Sequence, residues 1–466
     1  MIRTEQQRAR AVARVCSFAL LGLSALPLLG WLFLGRGLRP VPQWGPFSTH
    51  HTTFFATIPY VLALVFMKKA QLSRRFIVTV GVVMGALLII PPSINSRDIF
   101  SYLFYGKMLA HGHLNPLVAQ PNVMASDPWY HVVGWRNQPS VYGPVWSYTT
   151  ALVVLTTGLR FLPSLYIMKL LALGGLAGAA VYGPRIASSE DPGRRDWILA
   201  ALIWNPLILF SLAGEGHIDG ILLGLVVAAL YFRLREKDMT VTVLLLVASL
   251  LKSYCFILLG LHLLDLVRRR EMRTAVRAGA ISLIATAASY APLWEGTRTF
   301  AGMKALATQY TPTLPYALRG LIIRVVRGIG YDNVAKTAGN AGSRAAGVVV
   351  LLGVLAYLVL RKPDAPVAWR WSLAFGAYLV CTPWFLPWHA LPLIGLGLVA
   401  PDADRGRRLR RSALVTTASA VVWIPLARFG PPIVALAWPD RAGTENGTET
   451  KLETIRLVHL TPTKLV

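Results

Sequence analysis

Four groups of residues place ionisable and aromatic side chains where a simple connection between apolar segments would not need them. The first runs Ser96-Arg97-Asp98-Ile99-Phe100-Ser101-Tyr102. It continues through Tyr105-Gly106-Lys107 and His111-Gly112-His113-Leu114-Asn115-Pro116 to Tyr142-Gly143-Pro144. It offers a carboxylate at a helix exit, followed by aromatic rings. The second is Gly214-Glu215-Gly216-His217-Ile218-Asp219-Gly220, three ionisable side chains in a glycine-rich turn. The Asn205-Pro206 pair before it should break its helix and leave backbone groups in need of partners. The third is Lys252, a lone cation inside an apolar stretch. An ammonium there needs an anion, and a phosphate suits a compact point charge. The fourth is Pro383-Trp384-Phe385-Leu386-Pro387-Trp388-His389. Together they supply a carboxylate for base work, a cation for phosphate, and ring surfaces that pack on the apolar faces of sugars or on lipid.

The elements that must hold these groups are membrane helices. Of 466 residues, 55% are hydrophobic and 15% charged, with a mean hydropathy of +0.52. That is too little charge to coat a large soluble surface, which excludes a soluble globular protein, a disordered chain and a coiled coil. Apolar segments near 15–35, 53–67, 76–92, 163–185, 197–213, 218–234, 274–292, 343–361, 368–386, 388–401 and 412–429, with two shorter helices across 240–267, predict about 13 crossings. The expected fold is therefore an all-α polytopic membrane protein. Cys16, Cys255 and Cys381 lie within apolar stretches and read as small hydrophobes, with no disulfide framework or metal spacing.

The net charge of +26 invites a nucleic-acid reading, but the basic residues sit in short clusters between spans, as orientation signals do. Roughly 27 of the 47 basic residues fall on one side if residues 144–159 do not cross the membrane. That topology puts the N-terminus in the cytoplasm and all four groups on the outer face. The motifs played no part in fixing the topology, so their agreement in side is independent. It leaves two long external segments, 93–162 and 293–342, within a single transmembrane domain over 1–438, and a polar tail over 439–466. External loops this long are usually functional. A transporter or flippase of a lipid-linked or anionic substrate is the rival class. It is disfavoured by the lack of repeat halves and by polar groups gathered on one face rather than at mid-membrane.

At these residues the chain resembles the GT-C glycosyltransferases, and within them the polyprenyl-phosphate-mannose-dependent α-1,6-mannosyltransferases of actinobacterial lipoglycan synthesis. The resemblance rests on the Arg97–Tyr102, Gly112–Pro116 and Tyr142–Pro144 motifs, on Asn205-Pro206-Leu207 leading to Gly216–Asp219, on Lys252, and on Pro383–Trp388. It spans residues from about 75 to 400. Phe100, Leu117 and Phe385 stand where the family pattern has Tyr. The resemblance implies a GT-C fold whose external loops carry interfacial helices, 144–159 among them, set in the plasma membrane with the site outside. It further implies a polyprenyl-phosphate sugar donor, a glycan or glycolipid acceptor, and single-displacement inversion.

On that mechanism Asp98 is the base, and Lys252, with Arg97 or His217, neutralises the leaving phosphate. Asp219 orients hydroxyls, while Tyr102, Tyr142, Trp384, Trp388, Asn115 and His389 contact substrate. No cofactor is required, although some relatives in the superfamily use a divalent ion.

Overall fold

A computed structural model describes residues 2–34, 37, 49–187, 191–401 and 406–417. The polar tail and most of the last expected span lie outside them. Every regular element among the described residues is helical. On the N-terminal side are α1 (Ile2–Leu34), α2 (Thr49–Ala70) and α3 (Arg74–Ile89), then α4 (Asp98–Ala110) and α5 (Pro144–Thr156) of the first long loop. The middle of the chain forms α6 (Phe161–Tyr182), α7 (Pro192–Ile203), α8 (Pro206–Leu209), α9 (Asp219–Arg233), α10 (Asp238–Leu251), α11 (Phe256–Arg268) and α12 (Met272–Tyr290). Then come α13 (Ala301–Leu306), α14 (Leu314–Gly328), α15 (Asp332–Leu360), α16 (Val367–Cys381) and α17 (Leu391–Val399).

Local sequence explains where several of these begin. The Ser73 side chain caps α3 by accepting from the Phe76 amide. Asp191 caps α7 and Asn205 caps α8, each followed by a proline at the first helical position, where its missing N–H costs nothing. The expected break at Asn205-Pro206 is present. α7 and the helical stretch from Pro206 to Gly214 meet at 45°, and residues 210–214 form a π turn. The expected pair of short helices around Lys252 is present as α10 and α11.

Among the described residues, four helices are long and apolar enough to cross a membrane, or five if the bent pair forms one span. The expectation of about 13 counted apolar windows rather than helix lengths. Several of those windows fold into pieces such as α10, with 14 residues, and α16, with 15. At 1.5 Å per residue these reach roughly 21–23 Å, short of the roughly 30 Å of hydrocarbon. Leu283, Ile284, Val349 and Leu352 are exposed on helix faces, as lipid-facing residues of a membrane protein are. α5, at 13 residues, is likewise too short to cross unaided.

Two contacts set the frame of the site. α6 lies against α9 through glycines. A Cβ on Gly175 would stand 2.0 Å from the Gly220 carbonyl oxygen, and one on Gly224 would stand 2.4 Å from that of Gly175. Small residues four apart on α9 thus allow backbone-to-backbone packing, and that packing fixes the helix start that carries Asp219. The first long loop is seated by a separate apolar cluster joining Ile99, Phe100, Tyr102 and Leu103 of α4 and Trp146 of α5 to Met168, Leu222 and Leu251. Phe100 is buried, packed against Phe161, and Leu117 is buried too. Two of the departures from the family's tyrosines thus sit where a hydroxyl would need a partner.

Candidate active site

Asp98 is the first residue of α4, where helix amides favour a carboxylate. Its own amide donates to Ser96 Oγ at 3.1 Å. The Trp135 indole N–H donates to Asp98 Oδ1 at 2.8 Å. Trp135 is held in turn by Ser101, whose Oγ accepts from the Gly134 and Trp135 amides, both at 3.2 Å. Oδ2 of Asp98 lies 3.7 Å from His217 Nδ1. The other nitrogen of that ring, Nε2, is 2.8 Å from Glu215 Oε2, and Trp388 stacks on the ring with centroids 3.9 Å apart and planes 17° off parallel. Gly216 permits the turn, with φ at +65°, in the region that glycine adopts without strain.

Lys252 ends α10 and donates to both oxygens of Asp219, each at 2.9 Å. The Tyr254 hydroxyl adds a third bond to Asp219 at 2.9 Å. The anion that a cation in this apolar stretch requires is therefore a side chain of the protein itself. Tyr142 comes to the same place because the Gly143 amide donates to the Leu251 carbonyl at 3.0 Å. A Cβ at Gly143 would stand 2.0 Å from the Leu250 carbonyl oxygen, so only glycine fits. Tyr142 donates to the Tyr102 hydroxyl at 3.2 Å, and that oxygen is 3.5 Å from His217 Nδ1. Burial holds the Tyr102 phenol well above its ordinary pKa, which keeps it a neutral hydrogen-bonding group.

These elements enclose a cavity of about 390 Å³. Asp98, Lys252, Tyr142, Trp384, Trp388 and His389 all line it. Asp98 is the only carboxylate on its wall, among the described residues. Asp219 is fully buried behind Lys252, and Tyr102 and His217 form the layer beneath the wall. Arg97 and Asn115 stand apart from the cavity. Arg97 is exposed, whereas Asn115 donates to Leu293 O at 2.8 Å and Glu295 Oε1 at 3.0 Å, which ties the first long loop to the second. The second loop also fixes the tryptophan motif: the Phe385 amide donates to Thr311 Oγ1 at 2.9 Å, and the Thr311 amide donates to the Pro383 carbonyl at 3.0 Å.

Sequence reasoning missed Trp135, Tyr254, Gln138 and Arg344, all on the cavity wall. Tyr254 stands two residues after Lys252, and that adjacency was the available signal. Trp135 was one aromatic among several in its loop. Cys16 and Cys255 are buried as expected, while Cys381 is half-buried and faces the cavity. Among the described residues, no cluster of three or more His, Cys, Asp or Glu side chains is placed to hold a metal ion.

A family model described as alpha-(1->6)-mannopyranosyltransferase, N-terminal domain, matches residues 4–268. The chain belongs to this family. The match takes in the Asp98, His217–Asp219 and Lys252 motifs, and membership makes the protein a glycosyltransferase rather than a transporter.

Alpha-(1->6)-mannopyranosyltransferase A of Mycobacterium tuberculosis is 25% identical over 407 residues, covering 78% of this chain and 75% of the relative. The protein of that name from Corynebacterium glutamicum is 23% identical over 338 residues, covering 66% and 68%. A probable alpha-(1->6)-mannopyranosyltransferase of Mycolicibacterium smegmatis is 24% identical over 493 residues, covering 86% of each chain. No solved structure matches the chain.

Proposed function

We propose that this family member moves mannose from a polyprenyl-phosphate donor to a hydroxyl of a glycan or glycolipid acceptor, on the outer face of the plasma membrane. The helices belong to a GT-C arrangement of about 13 crossings, with the shorter ones completing the span together with their neighbours. The N-terminus is cytoplasmic, because the basic clusters then face inside. The observation that carries the reading is the pairing of Asp98 with Lys252 on one cavity wall. A carboxylate and a cation are the two charges that a displacement at a sugar phosphate needs.

In this reaction the acceptor oxygen attacks the anomeric carbon and gives its proton to Asp98. The bond from that carbon to the phosphate oxygen breaks, and polyprenyl phosphate leaves with the electron pair. Transfer in a single displacement inverts the anomeric centre. Trp135 holds Oδ1 of Asp98 by one hydrogen bond, and the carboxylate keeps further lone pairs to accept the proton. Asp219 is less suited to be the base because Lys252 and Tyr254 already engage its oxygens. Lys252 has three N–H donors, of which Asp219 takes two, and the third is available to the phosphate. Trp384 and Trp388 offer ring faces to the sugar.

The test is transfer by purified protein from polyprenyl-phosphate sugars labelled in mannose, glucose or arabinose, with mannan and glycolipid acceptors. Labelled mannose should appear in the acceptor. Transfer of another sugar alone would correct the donor, and no transfer from any polyprenyl-phosphate sugar would overturn the reading.

A further inference from the structure

The cavity extends beyond the carboxylate and the tryptophans, and its far wall has a different character. Four residues of α15 line it: Arg344, Gly347, Val348 and Leu351. Their spacing of three, four and seven places them on one helix face. A single cation heads this stripe, and three residues without polar side-chain atoms follow. Tyr378 and Cys381 of α16 line the cavity beside the stripe. The two helices come close at Gly347, where a Cβ would stand 2.7 Å from the Cys381 carbonyl oxygen.

Arg344 stands at the start of the apolar run of α15, a helix long enough to cross a membrane, and is half-buried on the cavity wall. Its Nε donates to the Asn340 carbonyl at 2.8 Å. Among the described residues no carboxylate bridges its guanidinium, whereas Lys252 has Asp219 and Arg370 has Asp265. The two terminal nitrogens of a guanidinium form a planar fork that matches two oxygens of a phosphate.

We infer that Arg344 binds the phosphate of the donor and that the Gly347, Val348 and Leu351 face of α15 carries the first isoprene units of its lipid chain. This rests on the proposed polyprenyl-phosphate reading. The stripe has the polarity of the ligand: one charge at the junction, sugar-binding groups on one side, and hydrocarbon on the other. Lys252 and Arg344 then share the phosphate, with Lys252 partly neutralised by Asp219 and Arg344 carrying the uncompensated charge.

The experiment compares wild type, Arg344→Gln, Arg344→Lys and Leu351→Trp, each purified as a monodisperse full chain in detergent. Turnover is read with a long-chain and a short-chain polyprenyl-phosphate mannose, and product inhibition with polyprenyl phosphate and with inorganic phosphate. Arg344→Gln should raise the donor KM by about 10- to 100-fold, the range for one charge-assisted hydrogen bond, with a smaller change in kcat. It should weaken inhibition by polyprenyl phosphate to match, and Arg344→Lys should fall between the two. Leu351→Trp should raise KM for the long-chain donor more than for the short-chain one.

Thermal stabilisation by polyprenyl phosphate alone reads the same site without turnover, so it separates failure of this inference from failure of the mannosyl-transfer reading. Stabilisation of wild type that is lost in Arg344→Gln supports the inference even if no sugar is transferred. Equal stabilisation, equal KM or equal inhibition in wild type and Arg344→Gln would overturn it. Inorganic phosphate inhibiting as strongly as polyprenyl phosphate would overturn the lipid-chain half.

Discussion

Lys252 donates to both carboxylate oxygens of Asp219 at 2.9 Å, across 33 residues of sequence and between the end of α10 and the start of α9. The pair is buried, so removing one partner strands a charge. Asp219→Asn should therefore destabilise the protein by roughly 3–5 kcal/mol. Asp219→Asn combined with Lys252→Met should cost less than the sum of the two single changes. Thermal unfolding in detergent of the four proteins checks this. Additive losses would mean that the two residues do not act as a pair.

Trp135→Phe keeps a ring beside Trp384, whose centroid is 5.8 Å away, but removes the N–H that holds Asp98 Oδ1. The expected result is a folded protein with kcat lowered by about 10-fold, the scale of one hydrogen bond to a charged group, and donor KM little changed. Unaltered kcat would mean that Asp98 does not need the indole to hold its orientation.

Gly143→Ala places a methyl group 2.0 Å from the Leu250 carbonyl. The chain must then withdraw from α10, taking Tyr142 away from Lys252. The expectation is a loss of transfer far larger than the loss of thermal stability. Normal activity would show that Tyr142 need not sit where it does.

Much of this site was readable because charge is conspicuous in an apolar sequence. Asp98, Asp219 and Lys252 stand out against neighbours that must be buried, and the helix break at Asn205-Pro206 follows from a missing N–H. The partner of Lys252 was not readable. Sequence says that a buried ammonium needs an anion, but phosphate and Asp219 satisfy that rule equally, and only the packing of α9 beside α10 selects Asp219. Arg344 was hidden for another reason. It stands at the edge of an apolar stretch, where a basic residue is ordinary, and its place on the cavity wall depends on how α15 meets α16. The number of crossings is less legible, because hydropathy finds apolar windows but not where helices end within them.

Topology has its own test. Ala125 is exposed in the first long loop, and Glu236 is exposed between α9 and α10. In a protein with Cys381 replaced by Ser, cysteine at Ala125 should react with an impermeant thiol reagent applied outside intact cells, and cysteine at Glu236 should not. This follows from the placement of the basic clusters. The reverse labelling would put the cavity in the cytoplasm.

The central claim is that Asp98 takes the proton of the acceptor hydroxyl, and Asp98→Asn tests it most directly. The change preserves shape and an oxygen for the Trp135 N–H but removes the basic carboxylate. Donor binding and turnover should be measured on the same preparation of folded protein. The account predicts donor binding close to wild type and transfer reduced by about 10²–10⁴-fold, the usual contribution of a general base. Turnover close to wild type in Asp98→Asn would contradict it.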